Sequence, residues 1–418
     1  MNLSSLPPQL QQANLYEVNL RQYSDTGDIA GFLKHLPRLA SMGVDILWLM
    51  PIHPIGEVNR KGSMGSYYSV KDFCGLNPEY GSPQDFTKLV ELAHAHGMRV
   101  IIDWVANHAA WDNVWTNDHP EYFVRNEQGQ FVSPYDWSDV IQIDHNNEAE
   151  QAAMADAMEY WVTQFNIDGF RADLAHLTPL AFWKKARRQV DDVKPGLVWL
   201  AETEEPSYHE VFDISYAWKW MHKTADLVQH SLPVQELTSL LKQEWEGFPG
   251  DALKMYFTSN HDENSWNGTE YEKYGIYAKA LAVFSFVYSR SVPLIYSGQE
   301  LPNLKRLSFF EKDTIEWTDQ PALHAFYSIL LQYRKTSFST GDTRFIPFDQ
   351  QVLAFEKVDA NRAEYLFINL DKEVVQIGHW FVEEKTVYLD VFTGNEAELS
   401  GHVPIELKPG GFLLLQKK

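Results

Sequence analysis

Short apolar runs and longer segments of helical period alternate along the chain. The runs LYEVNL (15–20), VDILWLM (44–50), MRVIIDWV (98–105), IDGFRAD (167–173), LVWLAE (197–202), VFDISYAW (211–218), KMYFTS (254–259) and VPLIYSG (292–298) read as strands. Between them, GFLKHLPRLASMG, SPQDFTKLVELAHAHG, EAEQAAMADAMEYWVTQF, LAFWKKARRQVDDV, VQELTSLLKQEW and YGIYAKALAVFSFVYS repeat their apolar positions at helical spacing, and ALHAFYSILLQYRK follows the eighth strand. Several open on a capping residue or proline and close on glycine, as helix boundaries do. Eight strands, each followed by helical or linking sequence, predict an α/β fold, a (β/α)8 TIM barrel. A doubly wound open sheet is the competitor, but no glycine-rich phosphate loop follows the first strand.

Two stretches break the alternation. From His108 to about Asn147 the third connection is long, aromatic and loop-like, which marks a functional insertion. After about Thr336 the pattern turns to period two in TRFIPFD, VLAFEKVD, AEYLFINLD, KTVYLDVF, HVPIEL and GFLLLQKK, as in antiparallel strands. The expected organisation is a barrel over 1–107 and 148–336, an insertion over 108–147, and a C-terminal β-sandwich domain over 337–418.

Composition narrows the partners. Lys and Arg total 35 against 57 Asp and Glu, a formal charge of −22, so nothing attracts nucleic acid or an anionic membrane. Cys74 is the only cysteine, which excludes an intrachain disulfide and fits a reducing compartment. The N-terminal stretch lacks a basic segment followed by an apolar one, and no apolar run is long enough to span a bilayer. The expectation is a cytoplasmic protein.

Candidate chemistry gathers where strands end. In GFRADLAHL (169–177), Arg171 and Asp173 stand two apart and share a face of their strand. An Arg beside an Asp lowers the acid's pKa, which suits a nucleophilic carboxylate and equally a structural ion pair. Strand three ends in Asp103, Asn107 and His108, strand five in Glu202, and strand seven in Asn260, His261 and Asp262. In a barrel, the C-terminal strand ends form the active face. Carboxylates from strands four, five and seven, with Arg and His, are the equipment of retaining glycoside hydrolysis, whose two acids stand about 5–5.5 Å apart. Neighbouring strands, about 4.8 Å apart, supply that spacing. Glu202 follows the apolar run LVWLA, and partial burial would raise its pKa and keep it protonated.

The set DWVANH, GFRADLAH, the Glu of LAETEE, and FTSNHD resembles, in order and spacing, the four signature regions of glycoside hydrolase family 13, the α-amylase family. LWLMPIHPI, GSYYSVKDFCGLNPEYGSPQDF and VPLIYSGQE extend the resemblance over about residues 14–335. It implies Asp173 as nucleophile, Glu202 as acid/base and Asp262 as the third carboxylate, which grips sugar hydroxyls. It implies substrate contacts at His108 and His261, Arg171 holding Asp173, and Asp103 supporting Arg171 from behind. Tyr68 matches the tyrosine that stacks under the sugar at the cut, with Tyr67 one register away. The implied substrate is an α-1,4-linked glucan or maltooligosaccharide. The alternatives are an α-glucosidase, a transglycosylase, or a glucan-binding barrel without catalysis, which the retention of all three acids disfavours. His176 stands where exo-acting α-glucosidases of the family usually carry an apolar residue, which favours the amylase.

The chain also departs from the family pattern. Ala175 stands where many amylases carry a Lys that touches the sugar beyond the cut. The family calcium site implies Asn107 and the backbone of His176 as ligands. A third ligand is an acid in a motif best matched by IQID (141–144), where Gln142 takes the acid position, with Asp144 and Asp139 as other donors. Losing a charged oxygen ligand weakens such a site, and His176 equally reads as a histidine satisfied by local backbone. Of the aromatic residues, Trp111, Trp115 and Trp137 read individually as packing, whereas Trp266 stands on the active face, placed to touch substrate. Lys305 and Arg306 read as a solvated surface pair.

Overall fold

A computed structural model describes residues 8–337, 342–358, 362–377, 386–399 and 405–417. Eight strands run parallel in one sheet: β1 (Leu15–Val18), β2 (Ile46–Leu49), β3 (Arg99–Trp104), β4 (Gly169–Ala172), β5 (Val198–Ala201), β6 (Ile214–Tyr216), β7 (Leu253–Met255) and β8 (Leu294–Tyr296). They neighbour one another in sequence order, and β8 pairs with β1. Between β7 and β8 the ring closes through a parallel bridge, Lys254 with Ser291, and through Leu294 N donating to Tyr256 O at 3.0 Å. Residues of β1, β2, β5 and β8 are buried throughout, as expected when side chains fill the barrel and helices cover its outside.

Each strand is shorter than its apolar run, several of them at both ends, as in Gly169–Ala172 within 167–173. The largest difference is the run 211–218: only Ile214–Tyr216 pairs, and a helix begins at Trp218 and continues to His230. Its buried Trp220, Met221, Thr224 and Leu227 form one stripe against the barrel, a helical period inside an aromatic-rich segment. A single 3-10 turn, Pro206–Glu210, separates β5 from β6.

The third connection contains an antiparallel pair, His108–Ala110 with Val140–Gln142. The helix Glu148–Phe165 follows, opened by Asn147, whose side chain accepts from Ala149 N and Glu150 N. At the C-terminal end, Asp342–Phe345, Val352–Val358, Ala363–Asn369, Phe412–Lys417, Thr386–Asp390 and Glu396–Leu399 lie in that order in an antiparallel sheet. A second ladder, Val375–Gln376 with Glu406–Leu407, packs Val375 and Leu407 against Val352, Ala354 and Phe367 of that sheet. Lys385 of the expected strand 385–392, and residues 402–404 of the expected strand 402–407, lie outside the described residues. The sheet docks on the last barrel helix, His324–Thr336, where Tyr333 Oη and Lys357 Nζ meet the buried Glu364 carboxylate at 2.5 and 2.7 Å. Among the described residues, no helix is long and apolar enough to cross a membrane.

Candidate active site

Register aligns the two central acids. Ala172 of β4 pairs with Ala201 of β5, and Glu202 N donates to Ala172 O at 3.0 Å, so Asp173 and Glu202 leave neighbouring strands at the same level. Gly169 permits this tight pairing: its φ is +147°, and a Cβ there would stand 2.0 Å from Val198 O. Beyond Asp173 the chain turns through Leu174 at φ +41°, a left-handed conformation rare for such a residue. That turn aims Leu174 N at Glu202 Oε2, 2.9 Å away.

Arg171 organises the carboxylates. It is fully buried, and its Nη1 donates to Asp103 Oδ1 and Asp173 Oδ1, each at 2.8 Å. Nη2 donates to Glu202 Oε2 at 2.7 Å, and Nε donates to Tyr216 Oη at 3.0 Å. One planar fork therefore holds acids from β3, β4 and β5. Asp103 takes further bonds from Trp48 Nε1 at 3.2 Å and Tyr68 Oη at 3.1 Å, so it lies behind Arg171. The Arg171 neighbour does not hold Asp173 below the ordinary carboxylate range, as sequence reasoning expected. Burial is the larger effect and raises its pKa, with the guanidinium opposing.

His261 links the far side. Its Nδ1 meets Glu17 Oε1 at 2.5 Å, and its Nε2 lies 2.7 Å from Tyr68 Oη and 3.3 Å from Asp262 Oδ2. Burial lowers the imidazole's pKa, but the Asp262 and Glu17 carboxylates outweigh it and raise it to about 9. His108 has the opposite balance: burial dominates and lowers its pKa to about 4, leaving a neutral ring at neutral pH. Asp262 is 37% exposed and faces the cavity.

One cavity of about 310 Å³ is lined by Tyr68, His108, Asp173, Glu202 and Asp262, whereas Arg171 and His261, expected to meet substrate, are buried and do not line it. Tyr68 rather than Tyr67 faces it. Tyr67 is buried under the Arg21 guanidinium, 4.2 Å from its ring centre, with Asn19 Nδ2 donating to its hydroxyl. Trp266, 52% exposed, lines the cavity beside Phe309 and Phe310. Trp137 also lines it and meets His108 edge-on at 5.4 Å, whereas Trp111 and Trp115 pack within the insertion and against Phe73. Lys305 pairs with Asp313 and Arg306 with Glu272, away from the cavity. Sequence reasoning missed Lys61, Phe309, Phe310 and Glu17. For Glu17 the available signal was an acid inside an otherwise apolar strand.

The residues expected to hold calcium are arranged otherwise. Asn107 is buried and His176 is exposed. Gln142 Nε2 donates to Asn107 O at 2.9 Å, Asn107 Oδ1 at 3.1 Å and Ile143 O at 3.3 Å. An amide N–H group thus occupies the point where these oxygens converge, and a hard cation would need those oxygens itself. Asp139 is paired with Lys61, and Asp144 accepts from Asn146. Among the described residues, no group of three or more His, Cys, Asp or Glu could hold a metal ion. The Asn107 oxygens are thus taken up by the Gln142 amide without a cation.

Comparison with known proteins places this geometry. Residues 17–141 and 122–325 match the model of the alpha amylase catalytic domain. An alpha-amylase from Lactobacillus plantarum superposes with a TM-score of 0.90 at 31% identity, over 98% of this chain and 100% of that one. A noncanonic maltogenic alpha-amylase from Thermotoga neapolitana gives 0.88 at 31% identity, over 100% and 99%. Among curated relatives, an alpha-1,4-glucan:maltose-1-phosphate maltosyltransferase of Salinibacter ruber is 28% identical over 81% of this chain and 56% of its own length. The chain spans about half the length of the first such relatives. By the matched catalytic domain and these full-length structural likenesses, the chain belongs to the α-amylase family, glycoside hydrolase family 13.

Proposed function

We propose that the protein cleaves α-1,4-glucosidic bonds of glucans or maltooligosaccharides by double displacement, with retention at the anomeric carbon. The observation that carries this reading is the Arg171 fork, which holds Asp173 and Glu202 together at one cavity. That shared grip supports the close pairing of a retaining enzyme, about 5–5.5 Å, over the wider gap that leaves room for water in an inverting one.

Asp173 uses Oδ1 for Arg171, and its other oxygen attacks the anomeric carbon. Glu202 takes its bonds from Arg171 and Leu174 on Oε2, so Oε1 gives its proton to the departing glucosidic oxygen. Water, or the hydroxyl of another sugar, then donates a proton back to Glu202 and opens the covalent ester on Asp173. Tyr68 offers its ring to the sugar at the cut, and Asp262, with cationic His261 held behind it, binds its hydroxyls. Neutral His108 adds a hydrogen bond without charge.

A second reading, transfer to a sugar acceptor, is supported by the maltosyltransferase similarity, because the same intermediate serves both outcomes. Incubation with maltoheptaose, with the anomeric configuration of the first product followed by NMR, tests the proposal. Newly formed α-ends with shorter products support hydrolysis, and products longer than the substrate support transfer. β-Configured products overturn retention.

A further inference from the structure

The rim around the cavity is built unequally. Long segments follow β2 (50–82), β3 (105–147) and β8 (297–323), whereas β4 reaches the helix at Leu180 within a few residues and β6 reaches the helix at Trp218 almost at once. The long segments are also tied to one another. At β7, Asn264 Oδ1 accepts from Leu307 N at 2.8 Å, and Asn264 Nδ2 donates to Lys305 O at 3.1 Å. At β1, Gln22 Nε2 donates to Ser308 O at 2.6 Å, and Gln22 O accepts from Ile315 N at 2.9 Å. Toward β2, Met64 N donates to Phe310 O at 3.1 Å and Ser63 N to Glu311 Oε1 at 2.9 Å. The series ends at the insertion, where Lys61 Nζ pairs with Asp139 at 2.7 Å and Ser69 Oγ donates to Asp139 O at 3.1 Å.

A continuous wall therefore runs from the end of β7, past β8, β1 and β2, to the insertion, with Lys61, Asp139, Phe309 and Phe310 on its cavity side. Its place relative to the acids sets its meaning. On the glucan-cleaving reading Glu202 gives its proton to the leaving oxygen, so the aglycone lies toward β5 and β6, on the side where β4 and β6 are followed closely by their helices. The glycon lies on the opposite side, against the wall. The cavity, about 310 Å³, is at the small end of ligand sites, which run from roughly 300 to 1,000 Å³.

We propose that this wall, latched by Lys61 and Asp139, closes the glycon side of the cleft, so that the protein takes glucan chains by their non-reducing ends and releases short products. The proposal rests on the glucan-cleaving reading above and adds the direction of entry. A chain cannot thread through; its free end must abut the wall.

The test compares two reducing-end-labelled maltoheptaoses, one with a free non-reducing end and one blocked there by a 4,6-O-ethylidene group. Cleavage of the blocked chain is expected to be at least tenfold slower than that of the free chain. Lys61→Ala and Asp139→Asn are each expected to narrow that ratio severalfold, with folding checked by circular dichroism. Glu311→Gln, which loosens the tie between the β2 and β8 segments, provides a second route should the latch variants fold poorly. Equal cleavage of both chains by the wild type overturns the wall while leaving the glucan-cleaving reading standing. No cleavage of either chain overturns that reading and the proposal with it.

Discussion

Arg171 places three carboxylates within reach of one charge, and Asp173 and Glu202 each keep an oxygen toward the cavity. Asp173→Asn and Glu202→Gln preserve size while removing the proposed nucleophile and the proposed proton donor. Each is expected to lower kcat by about 10³-fold or more, within the range that acid–base and nucleophilic groups supply, with melting temperature little changed; wild-type rates would refute the roles. His261 sets an alkaline limit. Its folded pKa is raised to about 9, against about 6.5 when unfolded. The stability it contributes as a cation is therefore complete below about 6.5 and is lost as pH rises through about 9. Glu17→Gln removes one of the two carboxylates that raise it, so the alkaline limb of kcat/KM is expected to move down by about one pH unit. An unmoved limb would show that Glu17 does not act through His261.

Gly169 controls the element that carries Arg171 and Asp173. A Cβ would meet Val198 O at 2.0 Å and Val198 N at 2.7 Å, and these are backbone atoms of the paired strand β5 that cannot step aside. Gly169→Ala is expected to cost more than about 4 kcal/mol in urea unfolding, the range reserved for severe steric conflict, and activity should fall with it. A variant of near wild-type stability would mean that β4 and β5 can separate without consequence. The insertion behaves as a second element of the site: its strand pair brings Trp137 and Asp139 to the cavity and Gln142 to Asn107.

For the molecule as a whole, the Gln142 amide joins the insertion to the end of β3 with hydrogen bonds that need no ion. Excess chelator is therefore expected to leave the melting temperature unchanged, and a fall of several degrees would show that a metal contributes. Gln142→Asp replaces N–H donors with a carboxylate among carbonyl oxygens. It should lose about 1–3 kcal/mol, the cost of leaving buried polar groups unpaired, when measured by thermal unfolding in chelator, and calcium should restore part of that loss. Acid acts through His108, whose pKa is lowered to about 4. The stability it contributes as a neutral ring is present above about 6.5 and is lost as pH falls through about 4.

The barrel was legible from the chain because each strand lies in an apolar run and all but β5 are followed by a helix, and local periodicity reports that directly. Asp173, Glu202 and Asp262 were legible because barrel geometry makes a strand's C-terminal end its active end, so position along the chain translates into position on a face. The helix at Trp218 was obscured because aromatic residues serve a strand and a buried helix stripe equally well. Only the tertiary structure decided the rest. Whether burial or Arg171 governs Asp173 depends on how completely the barrel excludes water around it, and no motif records that. Glu17, Lys61, Phe309 and Phe310 reach the site from segments far apart in sequence, and the partner of Gln142 is a backbone and a side chain more than thirty residues away. Pairing and desolvation belong to the packed ring, because they arise where separate segments close on one another rather than within any one of them.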